Sequence, residues 1–268
     1  MNPNLNTFSN IITFLALIMS LITGNPREGL DIKQEDGVSV EVTQKVTEIA
    51  QDFLSQYDTQ AYDLTVTCLG DSITSGINDE PAYPVFMEEL LNAEIVNLGI
   101  AGSSIADGCY DPMYLRYREI PQNSDVIILF GGYNDVFLMT DSYFGSTDEP
   151  GTFCYALNTL LKGIQENYPD AYFFVVIPPA SKDIEVYQRL NPGLYDQVVT
   201  RREMIRQCKE LGIDRLDLYS MNVMNPNDAK AWENYFFDGI HPKEEGHRVL
   251  AALIAAKIAK YAEEGGFN

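Results

Sequence analysis

The apolar residues of this chain form short continuous runs that alternate with helical patterns. Five runs predict strands, at residues 64–69, 94–98, 126–130, 171–177 and 215–218. Apolar positions recur with helical spacing in five other stretches, at residues 41–57, 85–91, 153–168, 197–211 and 243–262. Continuous apolar strands separated by helices predict a parallel sheet buried on both faces. We therefore expect an α/β fold, a three-layer α/β/α sandwich around a five-stranded parallel sheet.

Residues 1–24 form a separate apolar segment, in which residues 11–22 are apolar except for Thr13 and Ser20. This length suits the core of a signal peptide better than a bilayer span, which needs about 20 apolar residues. We expect a signal, an anchor or a helix packed on the domain, and membrane contact only through residues 8–23. Export or membrane tethering is favoured over a cytoplasmic location.

A polar stretch follows at residues 25–40, where Pro26, Gly29 and Gly37 predict a linker. Residues 41–268 are then expected to form one domain, because a chain of this length can bury a substantial core.

The chain is strongly acidic, since its 18 basic and 39 acidic residues give a formal net charge of -21. Such a surface repels phosphate backbones and anionic lipid headgroups, so we expect no nucleic acid partner. The charge favours a neutral or cationic ligand. The composition leaves the oligomeric state open.

Cysteine and histidine usage argues against a metal site. The four cysteines are widely spread and include no CxxC pair: Cys68, Cys109, Cys154 and Cys208. With only two histidines in the chain, the usual ligand spacings of zinc are missing, and we expect neither a metal nor another cofactor. We interpret the cysteines as small buried hydrophobic residues. A disulfide between Cys109 and Cys154 is the alternative if the chain is exported.

Polar or glycine-rich turns follow three of the predicted strands, and a fourth precedes the last helix. They read GDSIT at residues 70–74, NLGIAG at 97–102, GGYND at 131–135 and DGIHP at 238–242. In a parallel sheet, ligands bind at the carboxyl ends of the strands. Four such turns at one edge of the sheet indicate a functional site.

The residue types in these turns fit nucleophilic catalysis. A serine hydroxyl such as that of Ser72 needs a base to remove its proton during attack. Imidazole is suited to this role because its ordinary pKa lies near neutrality, which makes His241 the candidate base. Asp238 lies three residues before it, close enough to orient the ring as in a Ser-His-Asp triad. The alternatives are a helix cap for Ser72 and simple packing for His241.

Acyl transfer also needs hydrogen-bond donors for the oxyanion of the tetrahedral intermediate. The candidates are the backbone N–H groups of Ser72 and Gly102 and the side-chain amide of Asn134. Loss of one such donor typically costs about 3 kcal/mol of transition-state stabilisation. Gly102 could instead serve only a tight turn, and Asn134 could bond to local backbone groups.

These motifs resemble the sequence blocks of the SGNH (GDSL-type) hydrolases, in the order that the family has them. The four residues that name the family fall on Ser72, Gly102, Asn134 and His241. The resemblance implies a flavodoxin-like sheet, a triad that includes Asp238, and a three-donor oxyanion hole. It covers roughly residues 64–268, and the first block departs from the family pattern only in reading GDSI instead of GDSL.

Other nucleophile and nucleotide motifs fit poorly. Thr74 occupies the position of the final glycine in the G-x-S-x-G elbow, and neither G-x-G-x-x-G nor a P-loop is present. Aromatic residues near the turns could bind a sugar ring or an acyl chain or could be packing residues; they are Tyr110, Tyr114, Tyr117, Trp232, Tyr235, Phe236 and Phe237. Residues 137–151 are a candidate rim loop.

We therefore expect a serine esterase that hydrolyses a small acyl ester, with carbohydrate O-acetyl groups as one candidate. A lysophospholipase or acyl-thioester hydrolase with the same triad is the nearest alternative. A non-catalytic carbohydrate- or partner-binding module on the same fold is the alternative from a different class. The expected partner is the acyl ester substrate, a small molecule or a carbohydrate.

Overall fold

A five-stranded parallel sheet forms the centre of the molecule. The computed structural model describes residues 37–56, 63–78 and 80–267. The strands are β1 Thr65–Gly70, β2 Glu94–Gly99, β3 Val126–Phe130, β4 Tyr172–Ile177 and β5 Asp214–Asp217. They pair in the order β2-β1-β3-β4-β5, and every neighbouring pair is parallel. The predicted α/β fold with a five-stranded parallel sheet is confirmed.

Helices connect and cover the strands. The longer ones are α1 Val38–Gln56, α3 Tyr83–Leu91, α7 Phe153–Asn167, α8 Lys182–Leu190, α9 Gln197–Leu211, α10 Ala229–Tyr235 and α11 Glu244–Glu263. The short ones are α2 Ser72–Ser75, α4 Met113–Arg116, α5 Tyr133–Val136 and α6 Asp141–Phe144, and a 3-10 turn at Tyr117–Glu119 follows α4. The sequence patterns did not predict α8 or α10, because both are short and carry few buried apolar residues.

The sheet separates two apolar layers. Along β3, Val126, Ile128 and Phe130 belong to the layer on one side, whereas Ile127 and Leu129 belong to the layer on the other. This division follows from the alternation of side chains along a strand. Helices α1, α3 and α11 contribute to the first layer, and α7 and α9 contribute to the second. Burial on both faces explains the continuous apolar runs of the central strands.

Helix α1 is docked onto the domain and begins inside the segment predicted as a linker. Val38, and not residue 41, is its first residue, so the end of the predicted 25–40 linker belongs to the helix. The Asp228 carboxylate accepts hydrogen bonds from Gly37 N at 2.8 Å and Ser39 N at 3.0 Å, which fixes the start of α1. Residues 25–36 of the predicted linker and the apolar segment lie outside the described residues. Among the helices of the described ranges, none is long and apolar enough to cross a membrane.

Candidate active site

The candidate nucleophile lies directly after β1. A side chain at Gly70 would bring its Cβ within 2.1 Å of Thr74 Oγ1 and 2.6 Å of the Phe130 carbonyl oxygen, so only glycine fits this close approach. Asp71 then caps the short helix α2 by accepting a hydrogen bond from Ile73 N at 3.0 Å. Ser72 is the first residue of that helix and is 9 % exposed. The N-cap of this helix is therefore Asp71, and not Ser72 as in the alternative drawn from the sequence.

Three predicted site residues form a continuous chain of hydrogen bonds. Ser72 Oγ lies 3.0 Å from His241 Nε2, and His241 Nδ1 lies 2.8 Å from Asp238 Oδ2. Burial raises the pKa of Asp238, but hydrogen bonds from His241 and Ile240 outweigh it and hold that pKa below its ordinary value. An ionised carboxylate only accepts, so Nδ1 of the neutral ring carries the proton. Nε2 is then left to accept the hydroxyl of Ser72.

Backbone contacts fix the turn that carries Asp238 and His241. Asp238 Oδ1 accepts hydrogen bonds from Ile240 N at 2.7 Å and His241 N at 2.6 Å. Ser181 Oγ, at the start of α8, donates to the Gly239 carbonyl at 2.9 Å. The orientation of the imidazole is thus set by both its own turn and a neighbouring helix.

The second histidine is a buried packing residue. His247 is 2 % exposed and accepts a hydrogen bond from Tyr83 N through Nδ1 at 3.2 Å. Burial, together with the electrostatic interaction with His241, lowers the pKa of His247 to about 4. It is therefore neutral near pH 7 and belongs to the core.

The three candidate oxyanion donors lie on adjacent turns. Gly102 has a φ of +78°, and its N–H donates to no acceptor among the residues that the structure describes. The same holds for the N–H of Ser72. Asn134 Nδ2 donates to the Ser103 carbonyl at 2.8 Å, which uses one of its two amide hydrogens and leaves the other available. The hydrogen bond of Asn134 thus joins it to the Gly102 turn and not to Ser72 itself.

Two buried carboxylates near the site differ in their partners. Asp135 accepts hydrogen bonds from Ile105 N at 2.8 Å, Ala106 N at 3.0 Å and Tyr143 at 3.0 Å, so it braces the loop after Gly102. Asp71 accepts only through Oδ1, and its buried Oδ2 has no partner in the described part of the chain. Burial raises the pKa of Asp71 to about 7.

The sequence analysis did not identify one buried arginine that lies next to the site. Arg116 is 3 % exposed and donates to the carbonyls of Gly70 and Leu98 and to Ser103 Oγ. These contacts connect it to the turns of Ser72 and Gly102. Its partners are mostly backbone atoms, so no sequence motif marks it.

The aromatic residues near the turns are mostly packing residues, with two exceptions. Tyr110 is 68 % exposed and its N–H donates to the Gly102 carbonyl at 3.3 Å. Phe237 is 40 % exposed and immediately precedes Asp238. Tyr117, Tyr235 and Phe236 are buried.

The Cys109–Cys154 disulfide is not formed, and all four cysteines are free. Cys154 is buried in α7, whereas Cys109 is exposed beside the Asn134 carbonyl, with its Sγ at 3.7 Å from that oxygen. The other two cysteines are buried, as expected of small hydrophobic residues.

The sequence profile of the GDSL-like lipase/acylhydrolase family matches residues 68–249, which include all five candidate site residues. The chain belongs to this family. Membership confirms the resemblance seen in the motifs and makes this GDSL-like protein a hydrolase of the acylhydrolase class. A comparison with curated proteins gives no match.

Solved structures share the fold of this GDSL-like protein. A protein from Lactobacillus plantarum is 28% identical with a TM-score of 0.60, and the match covers 75% of this chain and 97% of that one. A lipase/acylhydrolase from Enterococcus faecalis is 22% identical with a TM-score of 0.50, over 74% of this chain and 96% of that one. An acetyl xylan esterase is 21% identical with a TM-score of 0.50, over 71% of this chain and 98% of that one.

Proposed function

We propose that this GDSL-like protein is a serine esterase, with Ser72 as nucleophile, His241 as general base and Asp238 as the residue that orients the imidazole. The observation that carries the proposal is the continuous chain of hydrogen bonds, 3.0 Å from Ser72 Oγ to His241 Nε2 and 2.8 Å from His241 Nδ1 to Asp238 Oδ2. Each group has the partner that the triad mechanism requires.

In the first half of the reaction, Ser72 Oγ attacks the ester carbonyl carbon while His241 Nε2 takes the hydroxyl proton. The carbonyl oxygen becomes an oxyanion, and the N–H groups of Ser72 and Gly102 and the amide of Asn134 donate hydrogen bonds to it. His241 then gives the proton to the leaving alcohol oxygen as the C–O bond breaks. An acyl group remains on Ser72.

In the second half, water replaces the alcohol. His241 takes a proton from the water as its oxygen attacks the acyl carbon, and the proton returns to Ser72 Oγ when that bond breaks. The products are the free acid and the regenerated hydroxyl. Asp238 stays ionised throughout and stabilises the imidazolium.

The proposed substrate is a small acyl ester, with a carbohydrate O-acetyl group as the leading candidate. Tyr110 and Phe237 have exposed rings and lie next to Gly102 and Asp238, and exposed aromatic rings can pack on a sugar face. The net charge of -21 disfavours an anionic ligand.

A long-chain acyl ester, as in a lysophospholipase, is the second candidate, because α8 begins at the Gly239 turn, through the hydrogen bond of Ser181, and carries exposed apolar residues. Val186 and Tyr187 are each 40 % exposed and Leu190 is 76 % exposed. The Tyr187 ring packs edge-on against Phe137, with centroids 5.0 Å apart, near Asn134.

An ester panel tests both the reaction and the substrate class. We expect hydrolysis of 4-nitrophenyl acetate and of acetylated sugars, and loss of that activity in Ser72→Ala. If the rate of hydrolysis is highest for acyl chains of about eight carbons or more, the long-chain substrate replaces the acetyl ester as the proposal. No turnover of any ester by the wild type would leave the binding-module alternative in place.

A further inference from the structure

The side chain of Arg116 joins three separate segments at the edge of the sheet. Its Nη1 donates to the Leu98 carbonyl at 3.1 Å, and Nη2 donates to the Gly70 carbonyl at 3.4 Å and to Ser103 Oγ at 2.9 Å. Its Nε donates to the Asp111 carbonyl at 3.1 Å. These contacts use the fixed fork of donors that only arginine offers.

The charge of Arg116 is poorly compensated by other charges. The side chain is 3 % exposed, and Asp111 Oδ2, in a carboxylate 45 % exposed, lies 3.9 Å away. Burial lowers the pKa of Arg116, opposed by the charges of Asp111 and Glu119. A buried cation held mainly by carbonyl oxygens is costly, so its place next to the site calls for a role beyond packing.

The segments that Arg116 joins carry the proposed oxyanion donors. Gly70 lies two residues before Ser72, and Ser103 directly follows Gly102. The Ser103 carbonyl in turn accepts the amide of Asn134 at 2.8 Å. Arg116 is therefore hydrogen-bonded to Gly70, in the turn of Ser72, and to Ser103, which adjoins Gly102 and accepts the amide of Asn134.

The loop that Arg116 holds also contains a backbone strain. Asp111 has a φ of +39°, in the left-handed region that is unusual for a residue with a side chain. Its carbonyl accepts hydrogen bonds both from Arg116 Nε and from Ser103 Oγ, the latter at 2.7 Å. Strained conformations of this kind persist where the surroundings fix them, and they cluster at functional sites.

We propose that Arg116 is a positioning residue, which sets the distance between the Ser72 turn and the Gly102 turn so that their N–H groups converge on one oxyanion. This inference rests on the proposed serine esterase function. Arg116 makes no hydrogen bond to Ser72, His241 or Asp238, and its proposed effect passes through Gly70 and Ser103.

The test compares Arg116→Lys with Arg201→Lys as a matched control. Arg201 also holds its fork on protein oxygens, those of Asp217 and Ser220, outside the candidate site. The concentration of active sites is first measured by labelling each protein to completion with a fluorophosphonate. The rate of 4-nitrophenyl acetate hydrolysis is then expressed per active site, so that unfolded protein does not affect the comparison. We expect kcat per site to fall about 10- to 100-fold in Arg116→Lys, with KM within about threefold, because misplaced donors weaken transition-state binding alone.

A boronic acid that forms a tetrahedral adduct on serine supplies a second readout, and its affinity should fall in parallel with kcat. Arg201→Lys should change neither quantity by more than about twofold. If Arg116→Lys does not fold, Ser103→Ala removes one partner of the guanidinium and should lower kcat per site by about fivefold or more. An unchanged kcat per site in the folded variant would show that Arg116 is only structural. A wild type inactive on every ester would instead refute the proposed function and, with it, this inference.

Discussion

Replacing Asp71 by asparagine should change the pH dependence of stability. The buried carboxylate has one oxygen without a partner in the described residues, and burial raises its pKa from 3.8 to about 7. Asparagine has the same shape and keeps an acceptor for Ile73 N, but it never ionises. The charged and titratable groups that act on Asp71 are His241, which lowers its pKa, and Asp135, which raises it.

The sign follows from proton binding. Because the folded-state pKa is raised, the folded protein holds a proton on Asp71 between about pH 4 and pH 7 that the unfolded chain has lost. The stability that Asp71 contributes is therefore fully present below about pH 4 and is lost as pH rises through about 7. At about 1.4 kcal/mol per pH unit, the rise from 3.8 to about 7 corresponds to about 4 kcal/mol in the free energy of unfolding.

Urea unfolding of the wild type and Asp71→Asn at about pH 5 and about pH 8 measures this effect. At the lower pH the variant should be more stable by about 2 kcal/mol, because the unfolded wild-type chain has already lost the Asp71 proton that the folded protein still holds. At the higher pH the variant should be more stable by up to about 4 kcal/mol. The exposed Asp148→Asn is the control and should give the same small difference at both values. A difference between wild type and Asp71→Asn that did not change with pH would refute the reasoning.

Three further substitutions test other parts of the account. Asn134→Asp keeps the shape but removes the donor, so kcat should fall about 10²- to 10³-fold with little change in KM; steady-state kinetics that show an unchanged kcat would exclude the oxyanion role. Lys257→Met removes a buried lysine whose Nζ lies 2.7 Å from the partly exposed Asp214 carboxylate, and it should lower the free energy of urea unfolding by about 1 to 2 kcal/mol. The surface ion-pair control Lys260→Met should cost about 0.5 kcal/mol or less. Val46→Ala, in the buried face of α1, should cost about 2 kcal/mol in the same assay and leave kcat unchanged.

The strands could be predicted closely from the sequence, each within one residue at either end. The central strands β3 and β4 are buried throughout and are continuous apolar runs with clear limits, whereas the edge strands β2 and β5 are only partly buried and contain charged residues. The start of α1 was placed three residues late because Ser39, a polar residue in the predicted linker, is in fact 1 % exposed and docked on the loop near Asn222. That contact joins residues far apart in sequence and leaves no local pattern.

Some residues of the candidate site could likewise be predicted from the sequence, and others could not. Ser72, His241 and Asp238 lie in short motifs with side chains of recognisable chemistry, and the structure brings them within hydrogen-bond distance. Arg116 and the unpartnered oxygen of Asp71 could not be predicted, because their importance depends on what surrounds them in the fold. Burial and long-range backbone contacts are tertiary properties.

Covalent labelling of the nucleophile tests the central claim most directly. A fluorophosphonate should modify the folded wild type at one site, and peptide mapping by mass spectrometry should place the phosphonyl group on Ser72. Ser72→Ala should not be labelled and should lose esterase activity, while His241→Ala should label far more slowly because the base is missing. Labelling at another residue, or full esterase activity in Ser72→Ala, would contradict the assignment of Ser72 as the nucleophile.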